Sequence, residues 1–219
     1  MILTNKEIEE LIGETELCLG AARKNSKINT NLLRYKFDET RLVVGDNLLK
    51  GAIDYYEKRI QDGGQQLVAT SALEKAVAEV KPVYNEHLTI GRLILKHEPE
   101  KLAKYSMAGE RKTSFNGWVS QGRAFYKSIL ADDDLVAKYD GYGITLEQLQ
   151  QGLDMMVNLI QVNIDQEGAK SDAQIATELR DNAVDLLADW LSEFKVILRL
   201  SCADELQLLE AAGIVVKSK

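Results

Sequence analysis

Two histidines, a run of three aspartates, two cysteines, a G-x-G pair and a cluster of cations among aromatics are the residues here whose types and spacing bear on chemistry. A carboxylate-bridged di-metal centre in a helical bundle needs Glu-x-x-His on each of two helices, because residues i and i+3 project to one side. Tyr84 stands three before His87, and Ile94 three before His97. Neither motif is complete. A lone metal held by one histidine with Glu86 or Glu98 is weaker than the reading of both as packing or surface imidazoles. With both in one half of the chain, no base is positioned for a serine nucleophile. Asp132, Asp133 and Asp134 lack the alternating ligands, glycine and distal glutamate of an EF-hand, and read as a solvated run capping a short helix. Cys18 and Cys202 lie in apolar helical patterns without C-x-x-C spacing, so they read as small buried residues. Arg180 and Asp181, adjacent on one helix, point to different faces and are not expected to pair with each other; either could pair with a neighbouring helix. No catalytic residue, cofactor-binding residue or metal ligand is expected.

The G-x-G pair lies in YDGYGITLEQLQQGLDMM, Tyr139 to Met156. A dinucleotide fingerprint needs a preceding strand and a third glycine, so that backbone can approach the pyrophosphate. Neither is present. Thr145 with Gln148 makes a capping box instead, and Gly141 and Gly143 position the helix that follows.

The cations are concentrated. Between Lys101 and Ala131 stand Lys101, Lys104, Arg111, Lys112, Arg123 and Lys127 against Glu110 alone, a local +5 that leaves −12 for the rest of a chain of net charge −7. Tyr105, Phe115, Trp118, Phe125 and Tyr126 interleave with them. Three readings compete. Trp118, Phe125 and Ile129 form one core face of a joining helix; or the segment is an interface with protein or with a second copy, where Arg, Trp and Tyr are favoured; or it binds single-stranded nucleic acid. The net acidity argues against general nucleic-acid binding, which rests on neutralised phosphates. The interface residues expected on the second reading are Lys101, Lys104, Arg111, Lys112, Trp118, Arg123, Tyr126 and Lys127.

These side chains must be positioned by helices. Two prolines in 219 residues, with abundant Leu, Ala, Glu, Lys and Gln, favour an all-α protein, and 45% hydrophobic residues suffice for a core. No window holds the ~18 apolar residues of a membrane helix and no signal peptide is evident. A soluble, cytoplasmic protein is expected. Thr4 and Glu7 form a capping box for a helix over 4–23. Thr40 caps a second, to about 60, which QDGG (61–64) is expected to stop. A third over 66–96 is expected to kink at Pro82. Helices over 114–130, 145–164 and 172–202 follow, with Ser171 and Gln174 as a capping box for the last. Trp190 and Phe194 belong to its apolar stripe.

The two halves resemble each other. At an offset of 107, residues 69–95 lie on 176–202 with eight of 27 identical, among them Ala76 on Ala183, Val77 on Val184, Ile90 on Ile197 and Arg92 on Arg199. Upstream, an offset of 105 places Thr40 on Thr145 and Leu48 on Leu153. Either two amphipathic helices of biased composition match by chance, or the chain is duplicated. Duplication predicts a pseudo-twofold helical bundle of two tandem three-helix units, 1–112 and 113–219, packed as one domain with long antiparallel hairpins forming a four-helix core.

WVSQGRAFY (118–126), YGIT (142–145), RDNAVDLLADWLSEF (180–194) and LLEAAGIVVKS (208–218) resemble a loosely defined group of uncharacterised bacterial all-helical proteins of about this length. The resemblance implies an all-helical fold and no particular activity. The function expected is a non-enzymatic helical interaction or scaffold protein that self-associates or takes a protein partner. The alternative is a ligand-binding or enzymatic bundle with its pocket between the repeats.

Overall fold

The computed structural model describes residues 3–214. Among them the chain forms eight helices and no strand: α1 (Asn5–Lys24), α2 (Ser26–Leu33), α3 (Glu39–Ile94), α4 (Pro99–Lys104), α5 (Phe115–Leu130), α6 (Asp133–Asp140), α7 (Leu146–Ser201) and α8 (Gln207–Glu210). None of them is long and apolar enough to cross a membrane.

Local chemistry sets several of the ends. Thr4 accepts from the Glu7 amide while the Glu7 carboxylate accepts from the Thr4 amide, so α1 begins with the expected capping box. Asn25 ends α1 and starts α2, its side-chain oxygen accepting from the amides of Lys27 and Ile28. Asp132 does the same for α6, accepting from Leu135. Its carboxyl lies below the usual range because the Tyr105 hydroxyl and the Leu135 amide both bond it. Gly141 and Gly143 lie in the turn after α6, Gly143 at φ 82°, and Thr145 and Gln148 bond reciprocally at the start of α7.

The long helices differ from the expectation. Gln61–Gly64 does not stop α3, and residues 164–172 do not interrupt α7; Pro82 lies inside α3, as expected. The hairpins expected over 40–97 and 145–202 are therefore single helices of 56 residues each, and Ser171 and Gln174 lie inside one. A glycine terminates a helix only where it adopts the left-handed conformation; in helical conformation it costs about 1 kcal/mol relative to Ala, which packing along a long helix offsets.

The chain divides into two compact units, Met1–Gly63 with Ser171–Lys219, and Gly64–Lys170. This partition does not follow the halves 1–112 and 113–219, since each unit draws on both. In unit 1, Cys18, Leu19, Ile28, Leu32, Phe37 and Leu42 pack in one cluster with Leu191, Phe194, Leu198 and Cys202. Phe37 stacks on Phe194 at 4.8 Å between centroids. Both cysteines are buried and free, and burial pushes the Cys18 thiol up to about 11. Arg180 bonds Asp181, with Nε and Nη2 both donating to Oδ1 at 2.8 and 2.5 Å, contrary to the expectation that these neighbours on one helix would not pair.

Unit 2 has a more aromatic and polar core. Tyr84 meets Phe125 edge-on at 5.4 Å, and Tyr126 packs against Phe125 at 4.9 Å. His87 is buried, with Nδ1 3.1 Å from the Tyr126 hydroxyl, and its backbone carbonyl accepts from Tyr139 at 2.9 Å. Gly152 and Gly91 make room for these rings: a Cβ at Gly152 would overlap the Tyr126 ring, and one at Gly91 the Tyr139 hydroxyl.

Candidate functional site

The basic segment of unit 2 separates into side chains the fold consumes and side chains it leaves free. Tyr126, expected at the interface, is fully buried and belongs to the core, because residues 119, 122, 125, 126 and 129 form the inward face of α5. Arg111 is a clamp. Its Nη1 donates to the Tyr84 hydroxyl at 2.8 Å and the Ser106 carbonyl at 2.9 Å, and Nη2 to the Ala108 carbonyl at 2.8 Å. Together with Arg92, which donates to the carbonyls of Met107 and Gly109, it fixes the loop after α4. Within that loop Ser106 holds φ at 58°, a cost for a residue with a side chain, while Gly109 takes φ 69° freely.

Lys101 pairs with Glu98, and Lys104 sits over the Tyr105 ring at 4.8 Å and 3.9 Å from Asp132. Arg123 is half-buried, with Nε out of contact with water and without a hydrogen-bond partner among the described residues. Lys112 and Lys127 are exposed, and no acidic partner meets either ammonium among the described residues.

Part of the segment closes over α3 to make a cleft of about 550 Å³, lined by Val77, Lys81, Asn85, Arg111, Lys112, Thr113, Phe115 and Trp118. Its floor is aromatic: Trp118 and Phe115 are half-buried against the unit 2 core, with Trp118 edge-on to Tyr84 at 6.1 Å. The rim is cationic, carrying Lys81, Arg111 and Lys112 and no carboxylate. Lys81 and Asn85 are four apart on α3 and thus share a face. Both are exposed, and neither was among the expected site residues. Their spacing was visible in the sequence, but nothing local connects them with residues 111–118. All of the lining residues belong to unit 2.

Such a cleft can hold an anionic group against a flat apolar wall. It contains no nucleophile–base pair, and no three or more His, Cys, Asp or Glu side chains gather as metal ligands among the described residues. His87 meets the Tyr126 ring edge-on, and burial holds its imidazole below its ordinary value. A second cleft, of about 600 Å³ in unit 1, is lined by Glu16, Leu17, Gly20, Ala21, Lys24 and their neighbours. It balances one acid with one base and has no aromatic wall. Comparison with known protein families, curated proteins and solved structures finds no match to this chain.

Proposed function

We propose that this is an internally duplicated helical interaction protein, without chemistry of its own, that recognises acidic segments of protein partners through the basic, aromatic face of unit 2. The observation that carries the reading is the gathering of Lys81, Arg111 and Lys112 over Phe115 and Trp118, with no acid among them, in a chain of net charge −7. Charge complementarity of this kind sets partner choice and encounter rate, and buried-edge aromatics supply the anchoring area.

A pseudo-twofold duplication is supported by one offset. Adding 107 to the bounds of α2 gives those of α6, and adding it to the bounds of α3 gives those of α7. The shift carries the positive-φ residues Lys36 and Ser106 onto Gly143 and Gly213. It carries buried Ile28, Leu32, Phe37 and Leu42 onto buried Leu135, Tyr139, Ile144 and Leu149. The turn bonds follow: Phe37 N–H to the Leu32 carbonyl matches Ile144 to Tyr139, and Met107 to Leu102 matches Ile214 to Leu209. The upstream register is therefore also 107 rather than 105. The second segment of unit 1 begins at Ser171, which is Gly64 plus 107. On this reading each compact unit combines the first part of one repeat with the second part of the other. Chance similarity between amphipathic helices accounts for shared apolar periodicity; it does not account for shared helix lengths, turn conformations and capping positions.

The duplication makes the cleft informative. Lys81, Arg111, Lys112 and Trp118 correspond to Ala188, Thr4, Asn5 and Leu11. The cations and the indole belong to unit 2, and unit 1 carries the corresponding positions without them.

The size of the cleft supports a second reading. About 550 Å³ falls within the roughly 300–1,000 Å³ of small-molecule sites, which suits a small anionic ligand.

Selection of peptides from a displayed random library against the whole chain tests the first reading. Enrichment of Asp and Glu beside apolar residues is expected, and the enrichment should disappear with Lys112→Glu/Lys127→Glu. A selection with no acidic enrichment, or one unchanged by the charge reversal, would contradict it.

A further inference from the structure

We infer that the cleft of unit 2 is a two-part site for an acidic–apolar peptide segment, in which Lys81 and Lys112 hold a carboxylate and Trp118 with Phe115 receives the adjacent apolar side chain. This rests on the proposal that the chain binds acidic protein segments, and it names the residues that do so.

The rim separates by role. Both terminal nitrogens of Arg111 are engaged with Tyr84 and backbone carbonyls, so its charge contributes to the field while its geometry is fixed. Lys81 and Lys112 are exposed and meet no carboxylate among the described residues. They contrast with Lys101, which Glu98 neutralises at close range. Flexible ammonium groups with three donors each suit a carboxylate whose position varies with the peptide carrying it. Asn85 and Thr113, exposed on the lining, add neutral donors and acceptors that suit peptide backbone.

The floor decides what accompanies the charge. Trp118 and Phe115 present half-buried aromatic surface beside Val77. Covering it removes apolar area from water, so an apolar side chain next to the acid adds affinity that a bare anion cannot obtain. A nucleic acid strand would also offer negative charge and flat faces, but it would extend past a three-cation rim into an acidic chain. A peptide places one or two charges and then continues as neutral backbone.

Intrinsic fluorescence of the whole chain tests this with an acetylated, amidated Asp-Leu-Glu-Leu peptide as the probe. The expected result is a saturable change in emission that is absent in Trp118→Phe. Affinity should fall about tenfold or more in Lys81→Glu/Lys112→Glu and fall again between about 50 and about 300 mM salt. Circular dichroism of the double variant should match the parent, because both lysines are exposed, and Lys81→Arg/Lys112→Arg should retain binding. Several results would overturn the inference: an Asn-Leu-Gln-Leu analogue binding as tightly, acetate or inorganic phosphate binding as tightly as the peptide, a short oligothymidylate binding more tightly, or no saturable change up to about 10 mM peptide. A display selection that still enriches acidic peptides in Lys81→Glu/Lys112→Glu would sink the assignment to this cleft while leaving the broader reading in place.

Discussion

His87 is the residue whose burial makes the clearest prediction. The imidazole is buried beside the Tyr126 hydroxyl, and desolvation lowers its protonation tendency below the ordinary 6.5, with the Glu86 charge opposing more weakly. The folded state therefore holds a neutral imidazole that the unfolded chain protonates more readily. Stability from this group is complete above about pH 6.5 and is lost as pH falls below it, since the unfolded state then binds the extra proton. His87→Gln keeps a hydrogen-bonding side chain without a titrating one. Thermal denaturation followed from about pH 7.5 to about pH 5 should show a smaller decline for the variant than for the parent; parallel declines would mean that other groups carry the acid sensitivity. The offset of 107 places His87 on Phe194, in a cluster with no such pair. A smaller decline for the variant would place the acid-sensitive packing in unit 2.

At the scale of elements, the turns that follow α2 and α4 hold the sequence's least comfortable residues. Lys36 and Ser106 adopt φ of 57° and 58°, while the residues 107 further on, at φ 82° and 71°, are glycines. Left-handed conformation costs a non-glycine residue roughly 1–2 kcal/mol. Glycine also widens the unfolded ensemble, which offsets part of the gain. Lys36→Gly and Ser106→Gly should each raise stability by about 0.5–1 kcal/mol in urea denaturation, and Gly143→Ala should lower it by a similar amount. A loss on introducing either glycine would mean that the side chain is held by packing instead. This is also where legibility ended. The capping boxes at Thr4 and Thr145, the Asp132 cap and the G-x-G turn were readable because each is chemistry within a few residues. The continuity of α3 and α7 was not. Glycine is a stop signal only when tertiary structure turns the chain there, and Gly64 and Gly168 sit in open space within helices that carry on.

At the scale of the whole molecule, the offset of 107 was legible from eight identities among 27 residues, but the partition of the chain was not. Similarity between two stretches of sequence carries no instruction about which stretches pack together. The candidate site was half legible for a related reason. Residues 101–127 stood out by charge and aromatic content, yet local periodicity could not say that Tyr126 points inward, that Arg111 is occupied by the loop it clamps, or that Lys81 joins them from α3. If the cleft of unit 2 is the binding site, replacing its residues by those that the offset of 107 places in unit 1 should remove binding and spare the fold. The most direct measurement is calorimetric titration of the acidic tetrapeptide into a chain carrying Lys81→Ala, Lys112→Asn and Trp118→Leu, the residues found at Ala188, Asn5 and Leu11. The account predicts unchanged helicity, a stability loss of about 1–2 kcal/mol from the partly buried indole, and affinity reduced more than about tenfold. A folded triple variant that binds the peptide as the parent does would contradict it, and Lys81→Ala/Lys112→Asn alone decides the matter if the Trp118 change unfolds the chain.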